Sequence, residues 1–267
     1  MIAILFWNTY GGAVGSMVQY LCAAHNVDVV VLAEEPRLAQ DVFPVSGGSL
    51  AHFFDEYAPG LSKIRFFVRR GAGKLKLVSD NGNRQSLREF HPSTGTPILL
   101  AGVHLPSKLR AKEGDQYLAA RQLRRAVEDA ERLLGHDATV LIGDMNMSPY
   151  EAGMSAADGL HGVMDKRIAQ KRQRILGGQA FTYFYNPMWS RLGDESVGPT
   201  GTYYRSADGV NSTFWHTFDQ ALIRPSLIPA YTRGSLEVLM HAGGAPLATA
   251  TRVSPSDHLP ILLRLDI

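Results

Sequence analysis

The chain has 267 residues, 45% of them hydrophobic, and 27 basic side chains against 25 acidic ones leave a net charge of +2. That length lets roughly three quarters of the surface leave water on folding, while the charge is too small to argue a nucleic-acid partner from bulk electrostatics. A single cysteine, Cys22, excludes an internal disulfide and fits a reducing compartment. No run reaches the ~20 apolar residues of a membrane span, so a cytoplasmic location without a membrane-spanning segment is expected.

Ile2-Ala3-Ile4-Leu5-Phe6 is a continuous apolar run, the pattern of a strand buried on both faces. It lacks a basic leader and breaks at Trp7-Asn8, so it is expected to be a first strand and not a signal peptide. Val14, Met17, Val18, Leu21 and Cys22 recur at helical spacing and predict an amphipathic helix over 13–24, with Cys22 as a small core residue. Asp28 to Ala33 predicts a second buried strand, ended at Glu34-Glu35-Pro36, where the proline stops it. From Gly47 to Phe90 short β-rich runs (64–68, 75–78 and 87–90) alternate with turn residues. Gly71-Ala72-Gly73 and Asn81-Gly82-Asn83 are expected as hairpin turns of an antiparallel meander. Pro97 to Val103 then predicts another buried strand, with His104 at its end.

A polar loop from Pro106 to Gly114 carries Lys108, Arg110 and Lys112. A long helix is predicted from Asp115, a candidate N-cap, to Leu134, with Gly135 as its stop. Thr139 to Ile142 predicts a strand that delivers Gly143-Asp144-Met145-Asn146. The least legible portion is 151–217: a basic run, Lys166 to Arg174, expected as helix, then an aromatic stretch through Phe181, Tyr185, Trp189, Tyr203 and Trp215. Strands are predicted again at 218–223 and 236–240, and Ser256-Asp257-His258-Leu259-Pro260 leads into the last, at 261–265. No linker, repeat or low-complexity tract interrupts the chain, so one domain over 1–267 is expected.

Polar side chains thus stand at six strand termini: Asn8, Glu34, His104, the pair Asp144 and Asn146, Asp219, and the pair Asp257 and His258. Strand ends sharing one rim are where loops build sites on a rigid frame. Carboxylates hold hard cations, and histidine moves protons near neutral pH. Asp144 and Asn146, two apart, share one side of an extended segment. Adjacent Asp257 and His258 share a pocket only where the backbone turns, which Pro255 and Pro260 favour. Blander accounts stay open for most of these: a solvated Glu34 beside Glu35, a turn-forming Asn8, a structural His104, an Asx-turn at Asp144. Asp219 is the hardest to dismiss, because an unpaired carboxylate on an apolar strand is costly, and His258 is the candidate partner.

Taken together, Trp7-Asn8, Leu32-Ala33-Glu34, Val103-His104-Leu105, Gly143-Asp144-Met145-Asn146, Phe218-Asp219 and Ser256-Asp257-His258-Leu259-Pro260 resemble the endonuclease/exonuclease/phosphatase superfamily in order and spacing. DNase I, AP endonucleases, deadenylases, inositol polyphosphate 5-phosphatases and neutral sphingomyelinases belong to it. The resemblance implies an α+β fold, a four-layer α/β/β/α sandwich of two mixed sheets, and Mg²⁺-dependent (or Mn²⁺-dependent) cleavage of a phosphate ester. It implies that Glu34 is the main metal carboxylate, supported by Asn8 and Asp257. His258, oriented by Asp219, is similar to the family's catalytic histidine; Asp144 would position the attacking water, and Asn146 and His104 would contact phosphate oxygens. Three positions depart from the pattern: Ala33 where relatives often have Gln, Tyr10 two after the asparagine, and His104 where AP endonucleases tend to carry tyrosine.

The leading functional expectation is a nuclease. Lys108, Arg110, Lys171 and Arg172 would bind the substrate backbone, and aromatics would stack on bases. The alternative is a phosphatase or phosphodiesterase for a small or lipid-derived phosphate ester; no obligate protein partner is expected. A non-catalytic relative is disfavoured by the complete set of polar positions.

Overall fold

The computed structural model describes residues 1–35, 42, 54–57, 63–206, 210, 213–249 and 252–267. Pro36 and the start of the expected meander at Gly47 lie outside the described residues.

Strands β1 (Ile2–Asn8), β2 (Val29–Ala33), β3 (Phe54–Tyr57) and β4 (Ile64–Arg69) join Leu236–Val238 and the final strand Ile261–Leu265 in a six-stranded sheet. Its central pair, β1 and β2, is parallel, and the final strand runs antiparallel to β1. A seven-stranded sheet holds β5 (Gly73–Asp80), β6 (Gln85–Pro92), β7 (Ile98–His104) and β8 (Thr139–Asp144). Beyond β8 it continues with Asp219–Ile223, Phe184–Tyr185 and Gly162–Val163. Here β7 and β8 are parallel, joined by the long helix α2 (Glu113–Leu134); α1 (Gly15–His25) connects β1 to β2 in the same way.

Side-chain alternation along each strand dictates the layers. Ile2, Ile4 and Phe6 point between the sheets and meet Ile98, Leu100, Val140, Ile142 and Ala221 in one core. The intervening Ala3, Leu5 and Trp7 face outward and pack with Val14, Val18 and Leu21 of the α1 region. On the other side, Leu99, Ala101, Val103 and Leu141 face Ala120, Leu123 and Val127 of α2. The result is the expected four-layer sandwich. Its sheets approach so closely at Gly102 that a Cβ there would sit 2.7 Å from the Phe66 ring and 2.8 Å from Ile64.

Three expectations are corrected. The Gly71-Ala72-Gly73 turn is no hairpin, because β4 and β5 belong to different sheets. Ala72 packs into the inter-sheet core, and the turn carries the chain across it. The Asn81-Gly82-Asn83 turn does close a hairpin, β5 to β6, with the Asn81 side-chain oxygen accepting from the Arg84 and Gln85 N–H groups at 2.8 and 3.0 Å. Asp115 is not the N-cap of α2: the helix starts two residues earlier, and Asp115 in its first turn accepts the Lys112 N–H at 2.9 Å. Gly135 does end it, in a left-handed conformation (φ 74°). The basic run 166–174 is helical only at Lys166–Ala169. It then turns into a hairpin of Gln173–Leu176 with Gln179–Thr182, because Gly177 and Gly178 supply the positive-φ corner that a two-residue hairpin needs.

Candidate active site at the open end of the sandwich

Asn8, His104, Asp144 and Asp219 are the next inward-facing positions after Phe6, Gly102, Ile142 and Ala221. The stripe that makes the inter-sheet core therefore runs out of apolar residues at one end of the sandwich and continues as polar ones. Register aligns them: His104 is paired with Asp144 across β7 and β8, and Asp144 with Asp219 across the next ladder. Asn8 ends β1 opposite Ala33, and Glu34 follows in a left-handed conformation (φ 53°) with its N–H given to the Lys63 carbonyl at 3.2 Å.

The Asp257-His258 turn is tied down from several sides. Ser256 Oγ donates to the Asn8 carbonyl at 2.7 Å and accepts the His258 N–H at 3.0 Å, while Trp7 Nε1 donates to the His258 carbonyl at 2.8 Å. Thr202 clamps the other flank: its Oγ1 accepts the Phe218 and Asp219 N–H groups at 3.1 and 3.0 Å, and its carbonyl accepts the Leu259 N–H at 2.7 Å. A threonine in a turn-rich stretch gives no sequence signal for such a role.

His258 Nδ1 lies 2.8 Å from Asp219 Oδ2, the pairing expected for a fully buried carboxylate on an apolar strand. The opposite ring nitrogen, Nε2, faces Asp144 Oδ2 at 3.8 Å and Asp257 Oδ1 at 3.9 Å. His104 Nε2 lies 3.2 Å from Glu34 Oε1 and 3.7 Å from Asp144 Oδ2. Asp144 is held by the Asn8 and Asn146 side-chain amides at 3.0 and 2.9 Å and by the Asn146 backbone N–H at 2.8 Å. Asn146 also donates to the Leu105 carbonyl at 3.0 Å. Its amide thus braces Asp144, and touching a phosphate oxygen requires it to release one of those bonds.

Electrostatics follow from this crowding. Burial alone would push the His258 imidazole down, but Asp219, Asp144 and Asp257 overcome it and push it up to about 10. Burial raises the carboxyl of Asp144, and it raises Asp257 too, with Glu34 and Asp144 adding to the Asp257 shift. His104 goes the other way, lowered by burial against the pull of Asp144, with Arg84 and Lys63 nearby also lowering it.

These residues fit a divalent cation. Among the described residues, Asp144, Asp219 and His258 bring three potential ligand atoms within 4.8 Å of one another. Asp219 Oδ2 and His258 Nδ1 are already spent on each other. Glu34 and Asp257 remain, together with the Asn8 amide oxygen, which also accepts the Tyr10 N–H at 3.1 Å; among the described residues Asp257 Oδ1 is buried with no hydrogen-bond partner. Hard oxygen donors beside uncompensated acidic charge are what Mg²⁺ or Mn²⁺ takes.

Of the expected substrate-binding cations, Lys108 and Arg110 lie on the loop after β7, at the site's end of the sheet, with Lys108 paired to Glu151. Lys171 and Arg172 do not join them. Arg172 pairs with Asp137, which precedes β8, and a six-residue strand sets Asp144 roughly 17 Å away at its other end. Missed from the sequence were Thr202 and Gln116, whose amide in the first turns of α2 donates to the Asn146 and Pro106 carbonyls at 2.8 and 2.9 Å. Tyr203 was also missed as a site residue; its ring lies 4.8 Å from that of His258.

No curated protein matches the chain in sequence. Among solved structures it is similar to D. rerio TDP2 complexed with single strand DNA product (17% identity, TM-score 0.62, covering 100% of this chain and 99% of that one). It is also similar to an AP endonuclease from Archaeoglobus fulgidus (13%, 0.57, all of both chains). A third likeness is to the human Nocturnin catalytic domain with bound sulfate anion (14%, 0.55, 98% and 93%). The family model described as Endonuclease/Exonuclease/phosphatase family matches residues 5–258, a span containing every residue of the constellation, and the chain belongs to that family.

Proposed function

We propose that the protein is a metal-dependent phosphodiesterase, a nuclease that hydrolyses phosphodiester bonds in nucleic acid. The observation that carries this is the buried His258–Asp219 pair opening onto Asp144, Glu34 and Asp257 at one strand-end rim. Phosphoryl transfer needs positioning and charge neutralisation more than covalent help. Glu34, Asp257 and Asn8 would hold the cation, which neutralises charge on the phosphate when bound. Asp219 fixes the His258 ring and sustains its positive charge, so that Nε2 presents a proton to a phosphate oxygen. Asp144, held by two asparagines, orients the attacking water and takes up its proton. His104 lines the other wall. Relatives by fold include a TDP2 structure bound to single strand DNA product and an AP endonuclease, which supports nucleic acid over a lipid-derived ester.

Hydrolysis of bis-(p-nitrophenyl) phosphate in Mg²⁺ or Mn²⁺, abolished by EDTA and by His258→Ala, tests the chemistry. A panel of plasmid, single-stranded DNA, RNA and inositol phosphates tests the substrate class. Turnover of small monoesters alone, with every polymer left intact, would replace the nuclease assignment with a phosphatase.

A further inference from the structure

The hairpin of Gln173–Leu176 with Gln179–Thr182 lies against α2, and the two enclose a cavity of about 390 Å³, closed on a third side by the loop at Ala157-Asp158. That volume falls within the ~300–1,000 Å³ of small-molecule sites. Gln116 braces the rim of the active site, and at about 1.5 Å per residue Arg121 and Arg125 stand roughly 8 and 14 Å along the helix axis from it. The cavity is therefore separate from the groups assigned to catalysis. Three arginines of α2 line it, Arg121, Arg124 and Arg125, against two acids, Glu128 and Asp158. Both acids are occupied: Glu128 accepts from Arg124 Nε at 2.7 Å, while Asp158 accepts the Tyr117 hydroxyl and has Arg121 Nε at 3.3 Å. Arg124 is spent as well, because its guanidinium also bonds the Ala157 carbonyl and lies 4.9 Å from the centre of the Phe181 ring. Arg125 is different. It is exposed, and among the described residues it has no carboxylate or hydrogen-bond partner, which leaves a whole guanidinium fork at the cavity. The i,i+4 spacing puts the remaining donors of Arg121 on the same helix face, one turn away. The opposite wall is apolar, made by Phe181 and by Leu176, which is left 37% exposed.

We infer that this cavity is a second ligand site, for a mononucleotide: a phosphate monoester held by Arg125 and Arg121, with its flat ring against Leu176 and Phe181. A guanidinium fork suits phosphate because two parallel N–H groups meet two oxygens. An apolar wall facing a few convergent polar groups is the ordinary make-up of a small-molecule site. A nucleic-acid strand fits less well, since it needs a row of cations along an open groove, and here one unpaired guanidinium faces a space walled on three sides. The inference stands independently of the nuclease assignment.

The test is calorimetric titration in EDTA, which keeps divalent cations from drawing phosphate into the active site. The probes are adenosine 5′-monophosphate, adenosine and inorganic phosphate, each added to wild type, Arg125→Glu, Leu176→Ser and His258→Ala. The first two substitutions change exposed side chains, so the fold is retained. Wild type is expected to bind the mononucleotide at one site, at least ten-fold more tightly than adenosine or phosphate alone. Arg125→Glu should weaken that binding at least ten-fold. Leu176→Ser should weaken it at least three-fold while leaving the affinity for phosphate unchanged, and His258→Ala should bind as wild type does. No mononucleotide binding by wild type, an affinity no better than that of phosphate, binding that survives in Arg125→Glu, or binding lost in His258→Ala each overturns the inference. A single-stranded oligothymidylate that binds through Arg125 while the mononucleotide does not would overturn it too, in favour of a strand-binding surface.

Discussion

Asp219→Asn is the sharpest test of the proposed chemistry, because it keeps shape and removes one charge. Asp219 is 0% exposed and its Oδ2 sits 2.8 Å from His258 Nδ1. An amide can keep that hydrogen bond and the backbone contacts to Thr202, but it cannot support an imidazolium. With charge centres roughly 4 Å apart and an effective dielectric near 20, the lost attraction is about 4 kcal/mol, within the ~3–5 kcal/mol typical of stripping one partner from a buried pair. If the transition state uses the charged ring, that energy is about a thousand-fold in rate. The assay is Mg²⁺-dependent hydrolysis of bis-(p-nitrophenyl) phosphate between pH 6 and 10, with near-UV circular dichroism confirming the fold. Wild-type His258 titrates near 10 without metal, and the variant's alkaline limb should move to lower pH as kcat falls. A folded Asp219→Asn protein within ten-fold of wild type, with an unchanged pH profile, would refute the role given to the pair.

Glu34→Gln and Asp257→Asn should each weaken Mn²⁺ binding at least ten-fold by calorimetry, and equal binding by wild type and both variants would remove the cation site. Adding Mg²⁺ among the carboxylates that raise His258 should lower the pKa of this ring, a shift that NMR of the imidazole protons reads directly. His161, 3% exposed, is held down to about 4, chiefly by burial and further by Arg124 and Arg174. Its folded pKa is below the unfolded ~6.5, so the stability it permits is complete above 6.5 and lost as pH falls towards 4. His161→Gln should therefore flatten the acid limb of Tm against pH, and an unaltered limb would count against it. Arg224 grips Glu131 through two bonds of 2.8 and 3.1 Å beneath Phe184; Arg224→Met should cost about 3–5 kcal/mol in urea unfolding, largely recovered by adding Glu131→Leu.

Much of the fold was legible because burial on both sheet faces leaves continuous apolar runs, as at Ile2–Phe6 and Thr139–Ile142, and alternation then assigns their faces. The Asp219–His258 pair was legible for a related reason: a carboxylate on an apolar strand must have a partner, and few candidates existed. What stayed hidden depended on contacts distant in sequence. Whether β4 and β5 share a sheet is decided by Ala72 packing between layers, not by the glycines around it. The run Lys166 to Arg174 has helix-compatible composition, but Gly177-Gly178 and the ladder to Gln179–Thr182 override it. Thr202 clamps the site through hydroxyl and carbonyl, which no spacing advertises.

The placement of the site on the last inward-facing positions of the core strands has a thermodynamic consequence. Asp144, Asp219 and His258 occupy space that valine or leucine would fill in the layer below, and they do so as crowded ionisable groups. Exchanging all three for well-packed aliphatic residues should make the metal-free protein harder to melt, since apolar replacements of buried charge clusters are often neutral or favourable by about 1–4 kcal/mol. The sandwich thus tolerates at its mouth a weakness that its own construction would have avoided, and reactivity is what that weakness supplies.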